Sequence, residues 1–243
     1  MVAALVLACD PSGQAGPVAT TSPSAAPAVP VASTQPAAPA VDAPPDPPPS
    51  PDDADGRTRA VVYLVSLGPF DAGLQDAIAE ALAAELQVEV KRLGTRPLPD
   101  AAWYAPRKRY RADVILDYLP TLIPDEPEST RILALTQKDI STTKGEFADW
   151  GVFGLGNMPG QAAVVSSFRL RRKAKGPAHV QKRVVNTSIH EVGHMLGLDH
   201  CTEHAELCPM QDAEGSIVNT DTSTGRLGPQ CRAELDRELP LRG

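Results

Sequence analysis

All five histidines of this 243-residue chain fall between His179 and His204, and three of them lie within His190-Glu191-Val192-Gly193-His194-Met195-Leu196-Gly197-Leu198-Asp199-His200. That spacing dictates local structure before anything else in the chain does. Val185, Ile189, Val192 and Leu196 recur at helical intervals, which predicts a helix from about Ala178 to Leu196. On such a helix positions i and i+4 share a face one turn apart, so the His190 and His194 imidazoles converge on one point. Glu191 lies about 100° round the axis, beside that point but off the ligand face. Gly197 stands where the helix must stop, and a glycine there adopts the left-handed conformation that reverses the chain. The reversal brings His200 back as a third ligand.

Three neutral imidazoles leave one tetrahedral position for water, which is the coordination of a catalytic zinc rather than a closed structural one. Zinc lowers the pKa of such a water toward about 7, and a carboxylate at Glu191 is placed to take its proton and pass it to a leaving amine. A bare His-Glu-x-x-His also occurs as ordinary helix surface. The glycine and the third histidine at their required offsets separate this chain from that case. A purely structural zinc would need a fourth protein ligand in place of the water.

Composition divides the chain. From Met1 to Gly56 there is no aromatic residue, and about half of the 25 prolines are interleaved with Ala, Ser, Thr and Asp. Such a stretch buries too little apolar surface to offset chain entropy, so residues 1–56 are expected to be a disordered spacer with polyproline-II character. At its start Val6-Leu7-Ala8-Cys9 resembles a bacterial lipoprotein signal with Cys9 as the lipidated residue. The apolar run before it is short and lacks a preceding Lys or Arg. Export with attachment to a membrane through Cys9 is the expectation, with a cytoplasmic protein carrying an unstructured tail as the alternative. Residues 57–243 form the expected folded domain, with an upper part over 57–197 and a lower part over 198–243.

Within that domain, Arg59 to Val65 reads as a buried strand ending at Gly68-Pro69, and Asp71 caps a helix carrying Leu74, Ile78, Leu82 and Leu86. Further elements are a strand from Gln87 to Leu93, a helix from Tyr110 to Leu119, and strands at Thr130 to Leu135, Trp150 to Gly154 and Ala162 to Leu170. After Gly197 no long periodic pattern remains. The outline is α+β, a mixed sheet flanked by helices with an irregular C-terminal segment.

His190 to Cys201 reads HEVGHMLGLDHC, and together with Cys208-Pro209-Met210 it resembles the archaemetzincins. Arg131 to Thr136, Trp150 to Gly154, Ala162 to Ser166 and Val184 to Ile189 are similar to that family as well. The resemblance implies a metzincin or zincin-like fold with a twisted mixed sheet above the cleft and an irregular part below it. It implies that Met210 forms a Met-turn, an apolar floor beneath the histidines, and that Trp150 to Gly154 is the edge strand that aligns substrate. Archaemetzincins also carry four cysteines around a second, structural zinc. This chain has Cys201, Cys208 and Cys231, but Glu234 stands where the fourth is expected, so Glu234, His204 or Asp236 would have to substitute, or the site is lost. Oxidation of two of the three to a disulfide is the other outcome in an exported protein.

The functions weighed are peptide hydrolysis by a zinc-activated water and, as an alternative, a non-catalytic zinc-stabilised binding domain on a lipid tether. Only hydrolysis requires the Glu191 carboxylate. The sequence singles out neither internal cleavage nor N-terminal trimming, and it specifies no oligomeric state. A formal charge of −7 and a pI near 5.2 disfavour nucleic acid as a partner, leaving a peptide or protein substrate. The one basic run, Arg169, Arg171, Arg172, Lys173 and Lys175, is expected to be a solvated strand end and loop.

Overall fold

The computed structural model describes residues 60–126, 129–202, 207–212 and 216–238. Cys9, the spacer over 1–56 and His204 lie outside these residues. Strands are β1 (Val61–Leu67), β2 (Glu89–Arg96), β3 (Trp103–Tyr104), β4 (Arg109–Arg111), β5 (Thr130–Thr136), β6 (Ile140–Lys144), β7 (Phe147–Val152), β8 (Gly154–Gly156) and β9 (Ala162–Ser166). Helices are α1 (Ala72–Leu86), α2 (Ala112–Tyr118), α3 (Ser167–Leu170), α4 (Pro177–Met195), α5 (Val218–Thr222) and α6 (Pro229–Glu238).

The main sheet runs β2-β1-β5-β9-β8. Its first four strands are parallel, and β8 closes one edge in antiparallel pairing with β9. Alternation along the buried strands sends side chains to two separate cores. Val62, Leu64, Leu133, Leu135, Ala163 and Val165 meet α1 and α4 on one face. Val65, Leu67, Ile132, Ala134, Ala162 and Val164 meet α2 on the other. A smaller sheet, β3-β4-β6-β7, flanks this assembly.

Local chemistry explains the long helices. Asp71 accepts a hydrogen bond from Leu74 N at 2.8 Å and starts α1, whose Leu74, Ile78, Leu82 and Leu86 are all buried. α4 is buried over almost its whole second half, from Asn186 to Met195, because it lies between the sheet and the C-terminal segment. No helix among the described residues is long and apolar enough to cross a membrane.

Several boundaries differ from the sequence expectations. The stretch Trp150 to Gly154 is not one strand: β7 pairs with β6 in the small sheet, fully buried Phe153 intervenes, and β8 then forms the edge of the main sheet. Ala162 to Leu170 stops being a strand at Ser166, whose hydroxyl accepts from Phe168 N at 3.2 Å and opens α3. Tyr110 belongs to β4 and α2 begins two residues later. Arg169, expected among solvated charges, is buried and pairs with Asp139 through its Nε (2.6 Å) and Nη2 (3.0 Å). The C-terminal segment contains α5 and α6, not irregular chain alone. α6 buries only Cys231 and Leu235, one turn apart, too short a pattern to stand out in the sequence.

Polar ties fasten this segment to the upper helices. The buried Arg183 guanidinium of α4 donates to both Asp221 oxygens on α5 (2.5 and 2.8 Å) and to the carbonyls of Leu170 and Arg172. His179 Nε2 reaches the same carboxylate at 2.7 Å. On the other side, Glu85 of α1 accepts from Leu227 N (2.7 Å) and from Arg232 of α6 (2.5 Å).

The Arg183 hydrogen bonds hold the Asp221 carboxyl below its ordinary pKa of 3.8. A depressed carboxylate stabilises the fold above its unfolded pKa, and that stabilisation is lost as pH falls through the folded value. Asp221→Ala should therefore cost about 3 kcal/mol at neutral pH by stranding a buried guanidinium. In urea titrations the gap between variant and parent should close below about pH 4. A variant as stable as the parent at pH 7 would remove this tie from the account.

Candidate metal centre

The last turn of α4 explains how the three histidines meet. Leu198 N donates to Gly193 O and Gly197 N to His194 O, both at 3.0 Å, with Gly197 at φ 96°. This pair of reversed bonds is the Schellman termination, which requires the left-handed residue that glycine supplies. The chain turns back at once, and His200 arrives against the other two rings. Ring centroids are 4.5 Å apart for His190 and His194, 5.0 Å for His194 and His200, and 5.6 Å for His190 and His200. One ring nitrogen from each lies within 4.8 Å of the other two.

Main-chain carbonyls orient the two helical rings. His190 Nδ1 donates to Pro209 O at 2.6 Å and His194 Nδ1 to Leu198 O at 2.8 Å. A carbonyl only accepts, so the proton must sit on each Nδ1, and in the neutral rings each Nε2 carries a lone pair. Those two Nε2 atoms are 3.0 Å apart. Burial, the largest influence on each ring, opposes protonation: it pushes His190 well below its ordinary 6.5, His194 to about 4, and His200 downward. Two buried lone pairs face to face repel unless a cation lies between them. His200 Nε2 is also buried without a hydrogen-bond partner. The donor set is therefore that of a three-histidine metal site with each helical ring braced from behind.

Glu191 completes the arrangement. It is fully buried, and neither carboxylate oxygen has a hydrogen-bond partner. Burial alone raises its pKa well above the ordinary 4.5. Its place is shaped by β8, since a Cβ at Gly154 would collide with Glu191 Oε1, and one at Gly156 would lie 3.0 Å from Glu191 O and 3.2 Å from Oε2. These two glycines let the edge strand press directly on the carboxylate. The sequence showed them only as part of a turn-rich run, and the Pro209 and Leu198 carbonyls left no sequence signal, because main-chain atoms carry none.

Met210 lies fully buried below α4, and a Cβ at Gly193 would come within 2.5 Å of its Sδ. Cys201 N donates to Met210 O at 2.9 Å, which ties the residue after His200 to this floor.

Cys201, Cys208 and Cys231 also converge, all three sulfurs lying within 4.8 Å of one another as buried thiols. Cys208 Sγ and Cys231 Sγ are hydrogen-bonded at 3.8 Å, and Gly228 N donates to Cys208 Sγ at 3.2 Å. The Cys231 bond is the largest influence holding the Cys208 thiol down to about 6, and it pushes Cys231 up. Among the described residues no fourth ligand joins them. Glu234 accepts a hydrogen bond from Gln230 at 3.2 Å, and Asp236 is exposed. A closed four-ligand zinc site is thus three parts complete in the described residues.

The sequence matches the profile of peptidase family M54 over residues 97–237, more than half of the chain. An archaemetzincin from Methanopyrus kandleri is 32% identical over 176 residues, covering 72% of this chain and 93% of that protein. The crystal structure of archaemetzincin from that organism superposes with a TM-score of 0.63 at 29% identity, covering 74% of this chain and 96% of that one. A zinc-dependent peptidase from Methanocorpusculum labreanum gives 0.60 at 25% identity, with coverages of 72% and 99%. The mixed sheet with flanking helices is the fold of these structures.

The contact between Gly193 and Met210 is close enough to test. Gly193→Ala should destabilise the protein by about 2 kcal/mol through overpacking. Combined with Met210→Ala in a double-mutant cycle, the two losses should be less than additive. Additive losses in thermal unfolding would mean that Met210 does not abut the helix.

Proposed function

Because the chain belongs to peptidase family M54 and is a metallopeptidase, we propose that His190, His194 and His200 hold its catalytic zinc and that Glu191 is the general base. What supports this is a single observation: a fully buried carboxylate with two unsatisfied oxygens stands beside three imidazoles whose free nitrogens converge. A buried orphan of that kind is costly, and binding or proton transfer accounts for its presence. The chemistry supplied by zinc, when bound, is acidification of water and polarisation of a peptide carbonyl.

The chain's own residues do the rest. Pro209 O and Leu198 O fix the tautomers of His190 and His194, so both rings present Nε2 without rearrangement. Glu191 takes a proton on a carboxylate oxygen and returns it to the departing amine nitrogen. Burial pulls the affinity of that oxygen for a proton upward, and a cation at the histidines would pull it down. Among the described residues no second strand pairs with β8, and all three of its residues are buried against their neighbours. A binding domain without catalysis would have no use for Glu191, and among the described residues nothing engages its oxygens.

Two variants test the assignment. Glu191→Gln should keep its zinc and lose between about 10² and 10⁴ in kcat/KM on a mixed peptide library. His194→Ala should lose one zinc per chain by elemental analysis, whereas Cys208→Ser should keep the ion at the histidines. Equal cleavage by the parent and Glu191→Gln, or no cleavage by zinc-loaded parent, would end the proposal.

A further inference from the structure

A cavity of about 580 Å³ opens between the starts of α1 and α4, within the range of roughly 300 to 1,000 Å³ usual for small-molecule sites. It lies at the far end of α4 from the histidines. α4 runs antiparallel to β5, because the carbonyl of Met195, its last residue, accepts from Arg131 Nε at the start of that strand (3.1 Å). Pro177, at the other end of the helix, therefore lies toward the carboxyl ends of the parallel strands. The helical rise from Pro177 to His190 is about 20 Å.

Sheet order gives a reason for a ligand to bind there. α1 carries the chain from β1 to β2 on one face of the sheet, and α2 lies on the opposite face in the connection from β2 to β5. Because β2 and β5 flank β1, these successive connections leave in opposite directions, and the carboxyl end of such a switch point is where open parallel sheets form a crevice. Asp71 and Leu74, from the segment after β1, line the cavity on one side. Arg171, Ala174, Val180 and Gln181, from the chain after β9, line it as well, and β1 and β9 stand on either side of β5.

Two opposite charges in these walls do not neutralise each other. Asp71 Oδ1 accepts from Leu74 N at 2.8 Å, and Arg171 Nε donates to Ser167 Oγ at 3.3 Å. Among the described residues, Asp71 Oδ2 and both Arg171 Nη groups have no partner. Buried Leu74 and half-buried Ala174 and Val180 supply apolar wall beside them. We propose that this cavity is a second binding site, one that takes a zwitterionic amino acid or short peptide. Arg171 receives the ligand's carboxylate, Asp71 its ammonium group, and an apolar side chain rests against Leu74 and Val180. A simple anion would face Asp71 with like charge and a simple cation would face Arg171 in the same way, so a ligand bearing both charges suits both walls. The products of peptide cleavage belong to this class, but the site stands independently of the peptidase reading.

The test is calorimetric titration of the dipeptide Leu-Ala into the zinc-loaded full chain carrying Glu191→Gln, so that the peptide persists during the measurement. Binding should weaken at least about tenfold when the amine is acetylated, and by a similar factor when the carboxylate is amidated. Arg171→Gln should erase the preference for the free carboxylate. Asp71→Asn, which keeps an oxygen to cap α1, should erase the preference for the free amine. Should that variant fail to fold, Arg171→Gln decides alone, since its exposed side chain holds only Ser167. Binding at the histidines would be indifferent to both substitutions, and that result overturns the proposal. Affinity for Leu-Ala weaker than about 10 mM, or acetate binding as tightly as the dipeptide, overturns it too. Cleavage plays no part in the readout, so the peptidase reading can fail without touching this one.

Discussion

Two imidazole lone pairs held 3.0 Å apart in a dry interior are the constraint on which the rest of this structure turns. Either ring alone would relieve the repulsion by rotating or by protonating. Neither route is open, because each Nδ1 is committed to a carbonyl and burial disfavours the charged form. The arrangement is stable only with a positive charge supplied from outside the two rings. Those carbonyls come from the turn just after α4 and from the residue before Met210, so the parts of the C-terminal segment that end and underlie the helix are also the parts that set the orientation of the two rings.

The same economy governs Glu191. Its carboxylate is fully buried because β8 lies against it, and β8 can lie there only because Gly154 and Gly156 have no Cβ. Side chains at those positions would push the edge strand off α4 and admit water to the acid. Packing and basicity are thus coupled through one short strand, whose backbone lies directly against the Glu191 carboxylate and desolvates it.

The site was legible in the sequence because helix periodicity and a terminating glycine convert spacing into geometry with little freedom. His190, His194 and His200 lie where those two rules send them, and Met210, the residue that the resemblance places in the Met-turn, is buried against Gly193. The edge strand was misjudged for a physical reason. Val152 and Phe153 continue the apolar character of β7 into β8, so nothing in the residue pattern marks the point at which the chain leaves one sheet for the other. Arg169 was misjudged because a basic run looks solvated until the distant Asp139 that neutralises it is known. α6 escaped notice because a helix that buries two side chains leaves almost no periodic trace.

The thiol cluster shows why the C-terminal segment holds its shape without a large core of its own. Cys201 directly follows the third histidine, Cys208 directly precedes Pro209 and Met210, and Cys231 belongs to α6. Their convergence joins the loop carrying His200, the floor beneath the site and the last helix at one point. From there Glu85 continues the connection to α1 through Leu227 and Arg232, while Asp221 makes a parallel connection to α4 through Arg183. His200 has no helix to hold it, and it is the most exposed of the three histidines, with its Nδ1 3.8 Å from Asp212. Its position must come from these ties. Whatever tightens or loosens the three sulfurs acts on His200 one residue away, so the thiol cluster and the histidine cluster are mechanically joined.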